Sequence, residues 1–511
     1  MKLIYNSLKI TFIAGALLIV SSCNDKLEQL QENKTFTGGT DYSLHEDMIR
    51  PLTGLYADFQ DYHWANYAII SVRGDDVNAG GLGDQQPLSD TDKYGYDKDY
   101  WMYNEAWQNL YKDIFTSLSA MQEIKLYKDS GGDASMADQY IAEAKVIEAF
   151  SLLQLSRIWG TIIIPTDPDP AKLFTAELST KDQVMQFISD LMDEAIPLLP
   201  DMRPNERTDI RGGITKYTAL TIKALANLEL KKYPEVAQTT SEIIGSQKFS
   251  LAPDFYNLFK IPGKLSNENI WEFQYSDYGQ GSGDFTSYNN LFFGPENWTP
   301  FVAGTGSGWG FWEPSMKYIK FMLDKGESTR LETSVLFTNR GIAEIKKDAK
   351  YANLPAFVTN TTRDGDIIND YNRALFASGK HYLPSKQLTS GRTEYGTNKN
   401  FIVYRYAEIL LMHAEALTQG ATSSVMTADA AVNLVRERAG LQPLAGVTLQ
   451  QVLDEKYAEL AMEWGTRYYD MVRLERYEEL SYDGRTFTPD KTFLPYPQNQ
   501  VDLLPVLDNI Q

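Results

Sequence analysis

Apolar residues recur along this chain with helical spacing, and they do so in neighbouring pairs. Ala142, Val146, Ala149, Phe150 and Leu153 fall on one face of a 3.6-residue period and predict a helix. Val184, Phe187, Ile188, Leu191, Ala195 and Leu198 repeat the pattern behind Thr180-Lys181-Asp182-Gln183, a capping-box sequence that opens a helix. Tyr217, Leu220, Ala224 and Leu228 form a third stripe. Val236, Ala237, Ile243 and Ile244 form a fourth, entered through Lys232-Tyr233-Pro234, where proline suits a first helical turn. Nearer the C-terminus, Ile402, Tyr406, Ile409, Leu410, His413 and Leu417 make one apolar face, and Ala407, Leu411 and Ala414 a second. Two apolar faces predict a helix packed between neighbours. After a break at Gly420 come Ala428, Ala431, Val432, Val435 and Ala439. Then Leu453, Tyr457, Leu460, Ala461 and Trp464 follow a Thr448–Gln451 capping box. The fold class this predicts is mainly α: tetratricopeptide-like stacked helix pairs without a strict repeat length.

Two stretches break the pattern. Residues 74–100 combine Gly74, Gly80, Gly81, Gly83 and Gly95 with acids and with Tyr94 and Tyr96. Residues 275–313 interleave glycines with Tyr275, Tyr278, Tyr288, Trp298, Trp309 and Trp312. Loops of this length inside a folded chain are usually functional, so they are expected to form a binding face on the helical scaffold.

The N-terminus reads as a targeting segment. Lys2 and Lys9 precede an apolar run from Ile10 to Val20, too short to span a bilayer comfortably. Val20-Ser21-Ser22-Cys23 then resembles a bacterial lipoprotein signal, and Cys23 is the only cysteine in 511 residues. The expectation is a signal peptide at 1–22, a lipidated tether at 23–40 and one helical domain at 41–511. Several acyl chains on Cys23 would anchor the chain firmly. No later run of eighteen apolar residues follows, so the lipid anchor is the expected membrane attachment.

The formal net charge is −20, and loss of residues 1–22 removes two lysines and no acid. That acidity argues against nucleic acid and anionic lipid as partners. Tyr and Trp, 31 and 9 of them, are abundant and suit sugars and interfaces as well as cores.

Three motifs in order carry a family resemblance. Tyr404-Arg405-Tyr406-Ala407-Glu408-Ile409-Leu410-Leu411-Met412-His413-Ala414-Glu415-Ala416 resembles the "RYADVLLMYAEA" helix of the SusD/RagB family. Asn433-Leu434-Val435-Arg436-Glu437-Arg438-Ala439-Gly440-Leu441 resembles its "INxVRxRAGL". Glu459-Leu460-Ala461-Met462-Glu463-Trp464-Gly465-Thr466-Arg467-Tyr468-Tyr469-Asp470, with Arg473, resembles its "ELAFEGxRxxDLRR". Leu494-Pro495-Tyr496-Pro497 stands where the family carries a "PIP" tail. Weaker echoes are Trp159-Gly160 and Trp107 with Tyr111. Glu408, Trp159 and Tyr496 depart from the usual residues. The resemblance implies an outer-membrane lipoprotein that captures glycan, docks on a SusC-like TonB-dependent barrel transporter and catalyses nothing. The motif residues Arg405, Glu408, Glu415, Arg436, Arg438, Glu463 and Arg467 are expected to make ion pairs between helices.

A sugar site needs exposed aromatic faces beside hydrogen-bonding side chains. The candidates are Trp298 first, then Trp101 and Tyr96, with Tyr94, Asn297 and Tyr278; Asp75, Asp76, Asn78, Asn289 and Asn290 lie nearby in sequence. Trp309 and Trp312 read as packing residues before a helix. Enzyme signals are poor: His45, His63, His381 and His413 show no metal-ligand spacing, and no serine or cysteine nucleophile motif is present. Gly304-Thr305-Gly306-Ser307-Gly308 lacks the strand-to-helix context and lysine of a phosphate loop. Asp75 and Asp76 as glycosidase acids, and Asp364, Asp366 and Asp370 as a calcium loop, are the remaining catalytic or metal hints. No cofactor is expected. The alternatives are the same scaffold binding another nutrient such as peptide, and a lipid-anchored hydrolase.

Overall fold

The computed structural model describes residues 40–60, 64–81, 84–279, 287–390 and 397–510. The signal segment, Cys23 and most of the tether lie outside the described residues, as do His63 and Gly281 to Gly283 of the second loop.

Twelve described helices of eight residues or more are numbered here: α1 Arg50–Gln60, α2 Trp64–Ser71, α3 Trp101–Asp129, α4 Ala134–Trp159, α5 Lys181–Ala195, α6 Lys216–Glu229, α7 Tyr233–Gly245, α8 Met316–Asp324, α9 Tyr406–Thr418, α10 Ala428–Arg438, α11 Leu449–Leu460 and α12 Thr466–Arg473. From α3 to α7 each helix packs on the next in sequence; α9 then packs on α7, and α10 and α11 pack on α9. The mainly α, tetratricopeptide-like stack read from the apolar stripes is therefore the architecture. The caps work as expected: Thr180 and Gln183 close a reciprocal capping box at α5, and Thr448 and Gln451 do so at α11. Pro234 sits in the first turn of α7. In α4 every residue from Val146 to Trp159 is buried, because the helix is walled by α3, α5 and α6.

Two boundaries differ from the periodicity. Phe401–Arg405 is a strand, and the helix begins only at Tyr406, so Ile402 belongs to no helical face. α11 stops at Leu460, and Ala461 to Gly465 form a turn in which Met462, Trp464 and Gly465 all have positive φ. An apolar residue every third or fourth position fits a strand running into a helix as well as one longer helix.

Among the described residues, ten short strands form five antiparallel pairs. β1 (Val77–Ala79) pairs with β6 (Trp312–Pro314), β2 (Ile162–Ile163) with β3 (Leu178–Ser179), and β4 (Asn269–Phe273) with β10 (Phe401–Arg405). β5 (Trp298–Thr299) pairs with β8 (Ile367–Ile368), and β7 (Val335–Phe337) with β9 (Phe376–Ser378). The β4–β10 ladder closes the long insertion between α7 and α9, and Tyr406 N–H donates to the Glu268 carbonyl at 2.8 Å where the chain re-enters the stack. Both glycine-rich stretches meet at β1–β6. Trp312 is fully buried there, as a packing residue should be, and Trp309 packs edge-on against Phe292.

The family-motif charges join buried ion-pair networks, the first of them around Glu459. Arg405 pairs with Glu268, Glu459 and Glu463, Arg438 with Glu268 and Glu459, and Arg330 with Glu327, Glu455 and Glu459. Arg436 joins through Glu455, and Lys380 through Glu463. Five cations thus face five carboxylates. Glu415 holds Lys456 and Arg473, and Arg467 holds Asp75. Glu408 is the exception. It makes no ion pair among the described residues, and burial raises its carboxyl to about 7 against the opposing pull of Lys456 and Arg157.

Candidate functional site

The exposed aromatic residues of the second loop region are held on a surface built from β5, β8 and residues 384–389. Asp366 is the internal post. It is fully buried, and its carboxylate accepts from the Phe301 N–H at 2.7 Å, from the Ser385 N–H at 3.0 Å and from the hydroxyls of Ser385 and Tyr382. The Val302 N–H donates to the Ser385 hydroxyl at 2.9 Å, so the loop after β5 is stitched to residues 384–389. That places the Lys386 ammonium 4.0 Å from the centre of the Phe301 ring. Further along, the Thr389 hydroxyl donates to Asp277, which also accepts from Asn398 at 3.2 Å. Phe301 is 63% exposed and Tyr278 75% exposed, and they flank the two ends of one short segment.

Trp298 is only half-buried, but it is a wall more than a platform. Its ring packs edge-on against Tyr382, centroids 6.0 Å apart, on the small cluster of Leu336, Ile368, Tyr371 and Ala377. Its indole N–H is buried with no hydrogen-bond partner. Asn297 is exposed; its amide donates to the Asp370 carbonyl at 3.1 Å and leaves polar atoms at the surface. Asn369 bonds the Thr299 hydroxyl at 3.0 Å and adds a second amide to the same rim. The calcium hint at Asp364, Asp366 and Asp370 resolves into this scaffold, with Asp366 consumed by protein donors and Asp364 accepting from Tyr256.

The other candidates fall on a different part of the molecule. Tyr94 is not a ligand platform. It is 3% exposed, its hydroxyl donates to the carbonyls of Arg73 and Leu480, and its ring packs on Phe487. Burial pushes its phenol well up. Tyr96 is half-buried, donates to the Lys491 carbonyl at 3.1 Å and lines a cleft beside the C-terminal tail. Trp101 is the first residue of α3 and is 45% exposed. Asp75 and Asp76 are both buried. Asp75 is gripped by Arg467 and Lys317, which hold its carboxyl below the usual range against the raising effect of burial. Asp76 accepts the Met462 N–H. Neither acid faces a cleft in the arrangement a glycosidase needs.

Phe301 and Lys386 were not legible as site residues in the sequence. A phenylalanine reads as core, and only its place between Pro300 and the glycines from Gly304 onward hints that it surfaces. Replacing Asp366 by Ala tests the post. The buried donors it serves would each lose about 1–3 kcal/mol of satisfaction. Hydrogen exchange should quicken at 298–303 and 382–387 while α4 and α9 keep their protection; unchanged exchange in those loops would show that Asp366 does not hold them.

Comparison with known proteins gives the family and the fold. A family model described as "SusD family" matches residues 267–510. A second, described as "Starch-binding associating with outer membrane", matches residues 45–221. The chain belongs to the SusD family. Among SusD-like relatives, SusD-like protein P2 of Formosa agariphila is 24% identical, covering 91% of this chain and 90% of that protein. A SusD-like protein of Bacteroides ovatus is 22% identical over 93% of this chain and 84% of its own length. In structure, the chain resembles surface glycan-binding protein A from Bacteroides thetaiotaomicron in complex with laminarihexaose. The TM-score is 0.71 at 24% identity, covering 90% of this chain and 97% of that one. It also resembles a laminarin binding SusD-like protein, with TM-score 0.75, 21% identity and the same two coverages. The SusD fold therefore accounts for the helical stack and for the loop-built face that it carries.

Proposed function

We propose that this protein is a cell-surface glycan-binding lipoprotein that captures oligo- or polysaccharide and hands it to a SusC-like TonB-dependent barrel. Cys23 carries the lipid anchor in the outer membrane, the body at 41–511 acts as one domain facing the exterior, and no catalysis or cofactor is involved. The observation that carries the reading is two exposed rings on a SusD scaffold: Phe301, whose N–H is held by Asp366 in the loop that also carries Asn297, and Tyr278, next to Asp277, which is bonded to Thr389 of the same segment as Lys386. Sugar rings present apolar C–H faces to aromatic rings and hydroxyls to amides, so this arrangement suits them. Trp298 supports the platform from beneath, and Trp101 and Tyr96 offer aromatic surface elsewhere. A laminarihexaose complex and a laminarin binding protein among the similar solved structures make laminarihexaose and laminarin the first ligands to try.

Calorimetry of the 24–511 chain against polysaccharides and their oligosaccharides is the test. Saturable binding to one glycan class without product is the expected result. Phe301→Ala and Tyr278→Ala should each weaken it about tenfold, roughly 1.4 kcal/mol, and Trp298→Ala should weaken it at least as much by loosening the wall. Parent-like affinity in all three variants would remove this face from consideration. Silence across the glycans with saturable peptide binding, or turnover of any glycan, would overturn the reading itself.

A further inference from the structure

A cleft of about 500 Å³ lies beside the C-terminal tail, and Phe301 is not part of its lining. Tyr96, Trp159, Phe493 and Tyr496 line it, with Asp490 and Lys491 also in its lining. Its volume is in the range of sites that enclose a small ligand. Every polar tip of its aromatic rings is already committed to the backbone. Trp159 Nε1–H donates to the Pro495 carbonyl at 3.1 Å, Tyr496 to the Thr161 carbonyl at 2.7 Å, and Tyr96 to the Lys491 carbonyl at 3.1 Å. These bonds lock the rings in place; Trp159 and Tyr496 are buried and back the cleft, while the half-buried Tyr96 and Phe493 present apolar surface to a ligand. The backbone is shaped to the same end. Gly160 sits at φ +75, and a Cβ there would lie 3.0 Å from the Phe493 ring, so glycine is what allows that ring to close one wall.

The charges of the cleft decide the class of ligand. Asp490 and Lys491 stand 3.7 Å apart, and the Asp490 side chain is 70% exposed. Their charges cancel, so the cleft offers no net field for a phosphate or a carboxylate, and no nucleophile or histidine faces it. A carboxylate and an ammonium beside fixed aromatic walls suit a neutral molecule with C–H faces and many hydroxyls.

We infer that this tail cleft is a second carbohydrate subsite, which takes a unit of a neutral glycan apart from the stretch held at the Phe301 face. The inference rests on the glycan reading above and adds a separate location to it. The sequence separates the components by hundreds of residues, and packing of the tail against α4 and the start of α3 brings them together.

Titration of the 24–511 chain with laminarihexaose, and in parallel with maltohexaose, cellohexaose and xylohexaose, tests it. The parent should show two binding phases with its cognate hexaose. Asp490→Ala with Lys491→Met should abolish one phase, and Phe301→Ala with Tyr278→Ala should abolish the other. Asp490 and Lys491 are surface side chains, so their double variant should keep the parental circular dichroism and melting temperature. A single phase in the parent, lost with Phe301 and Tyr278 and untouched by the Asp490 and Lys491 changes, overturns the cleft and leaves the proposed function standing. Two phases that both survive the Asp490 and Lys491 changes also overturn it. Silence of the parent toward all four hexaoses and their polysaccharides overturns both.

Discussion

Glu459→Ala should unfold this protein more effectively than any loop substitution, with a loss of about 3–5 kcal/mol. Glu459 is fully buried and is the one carboxylate shared by Arg330, Arg405 and Arg438. Burial alone would raise its pKa, but Arg438, Arg405 and Arg330 outweigh burial and hold the carboxyl far below its usual value. Removing it leaves the network one negative charge short, with an arginine excess sealed from water. The pH dependence has a definite sign. A carboxyl with a depressed folded-state pKa stabilises the protein fully above its unfolded value near 4.3, and that contribution disappears as pH falls toward the folded value. Chemical denaturation at pH 7 and pH 3.5 should therefore show a gap between parent and variant that narrows in acid. A gap that stays constant would mean the loss comes from packing and not from charge.

Gly465→Ala should be nearly as damaging, for a reason confined to the backbone. Gly465 lies at φ +68, and a Cβ built on it would stand 2.3 Å from the Ile70 carbonyl oxygen of α2. Left-handed backbone alone costs an alanine about 1 kcal/mol, and the clash adds to it, because the neighbour is main chain and cannot rotate away. Nor can the turn move. The Met462 N–H donates to Asp76 at 2.6 Å, its carbonyl accepts from Tyr67 at 2.7 Å, Lys380 donates to the Ala461 carbonyl at 2.9 Å, and Trp464 donates to the Ile402 carbonyl at 2.8 Å. Thermal melts should show a drop of several degrees or more, and expression should fall. A melting temperature within a degree of the parent would mean that α2 shifts more easily than its contacts imply.

Much of the scaffold was readable because helices announce themselves locally. The stripe from Ala142 to Leu153 and the boxes at Thr180 and Thr448 depend on residues three or four apart, and the structure honours them. The charged motif residues were also readable as ion pairs, though not their connectivity: Glu268, Glu327 and Arg330 lie far away in the chain, and nothing local joins them to Arg405. Glu408 occupies a family position yet pairs with nothing, because its neighbours Lys456 and Arg157 are engaged by Glu415, Asp470 and Glu229. The candidate site was harder for a physical reason. A tyrosine in a glycine-rich loop looks the same whether its hydroxyl meets solvent or a backbone carbonyl. Tyr94 turned inward to Arg73 and Leu480, while Phe301, which any hydropathy pattern assigns to a core, lies exposed with its own N–H donating to the buried Asp366 carboxylate.

The long helix α3 gives the molecule two poles. Its 29 residues span roughly 43 Å. The described chain enters at its C-terminal end, where Tyr42 stacks edge-on with Tyr127 and donates to Glu123 at 2.7 Å. Trp101, Tyr96 and the tail cleft gather at its N-terminal end, with Gln500 bonding Asn104 at 2.8 Å. On the proposed anchoring through Cys23, a strut of helix stands between the side where the described chain enters and the cleft. On the proposed function, tension between the membrane and a glycan at the far pole would run along the helix axis, the direction in which a helix is stiffest, and would reach the grip with little stretch of the body between.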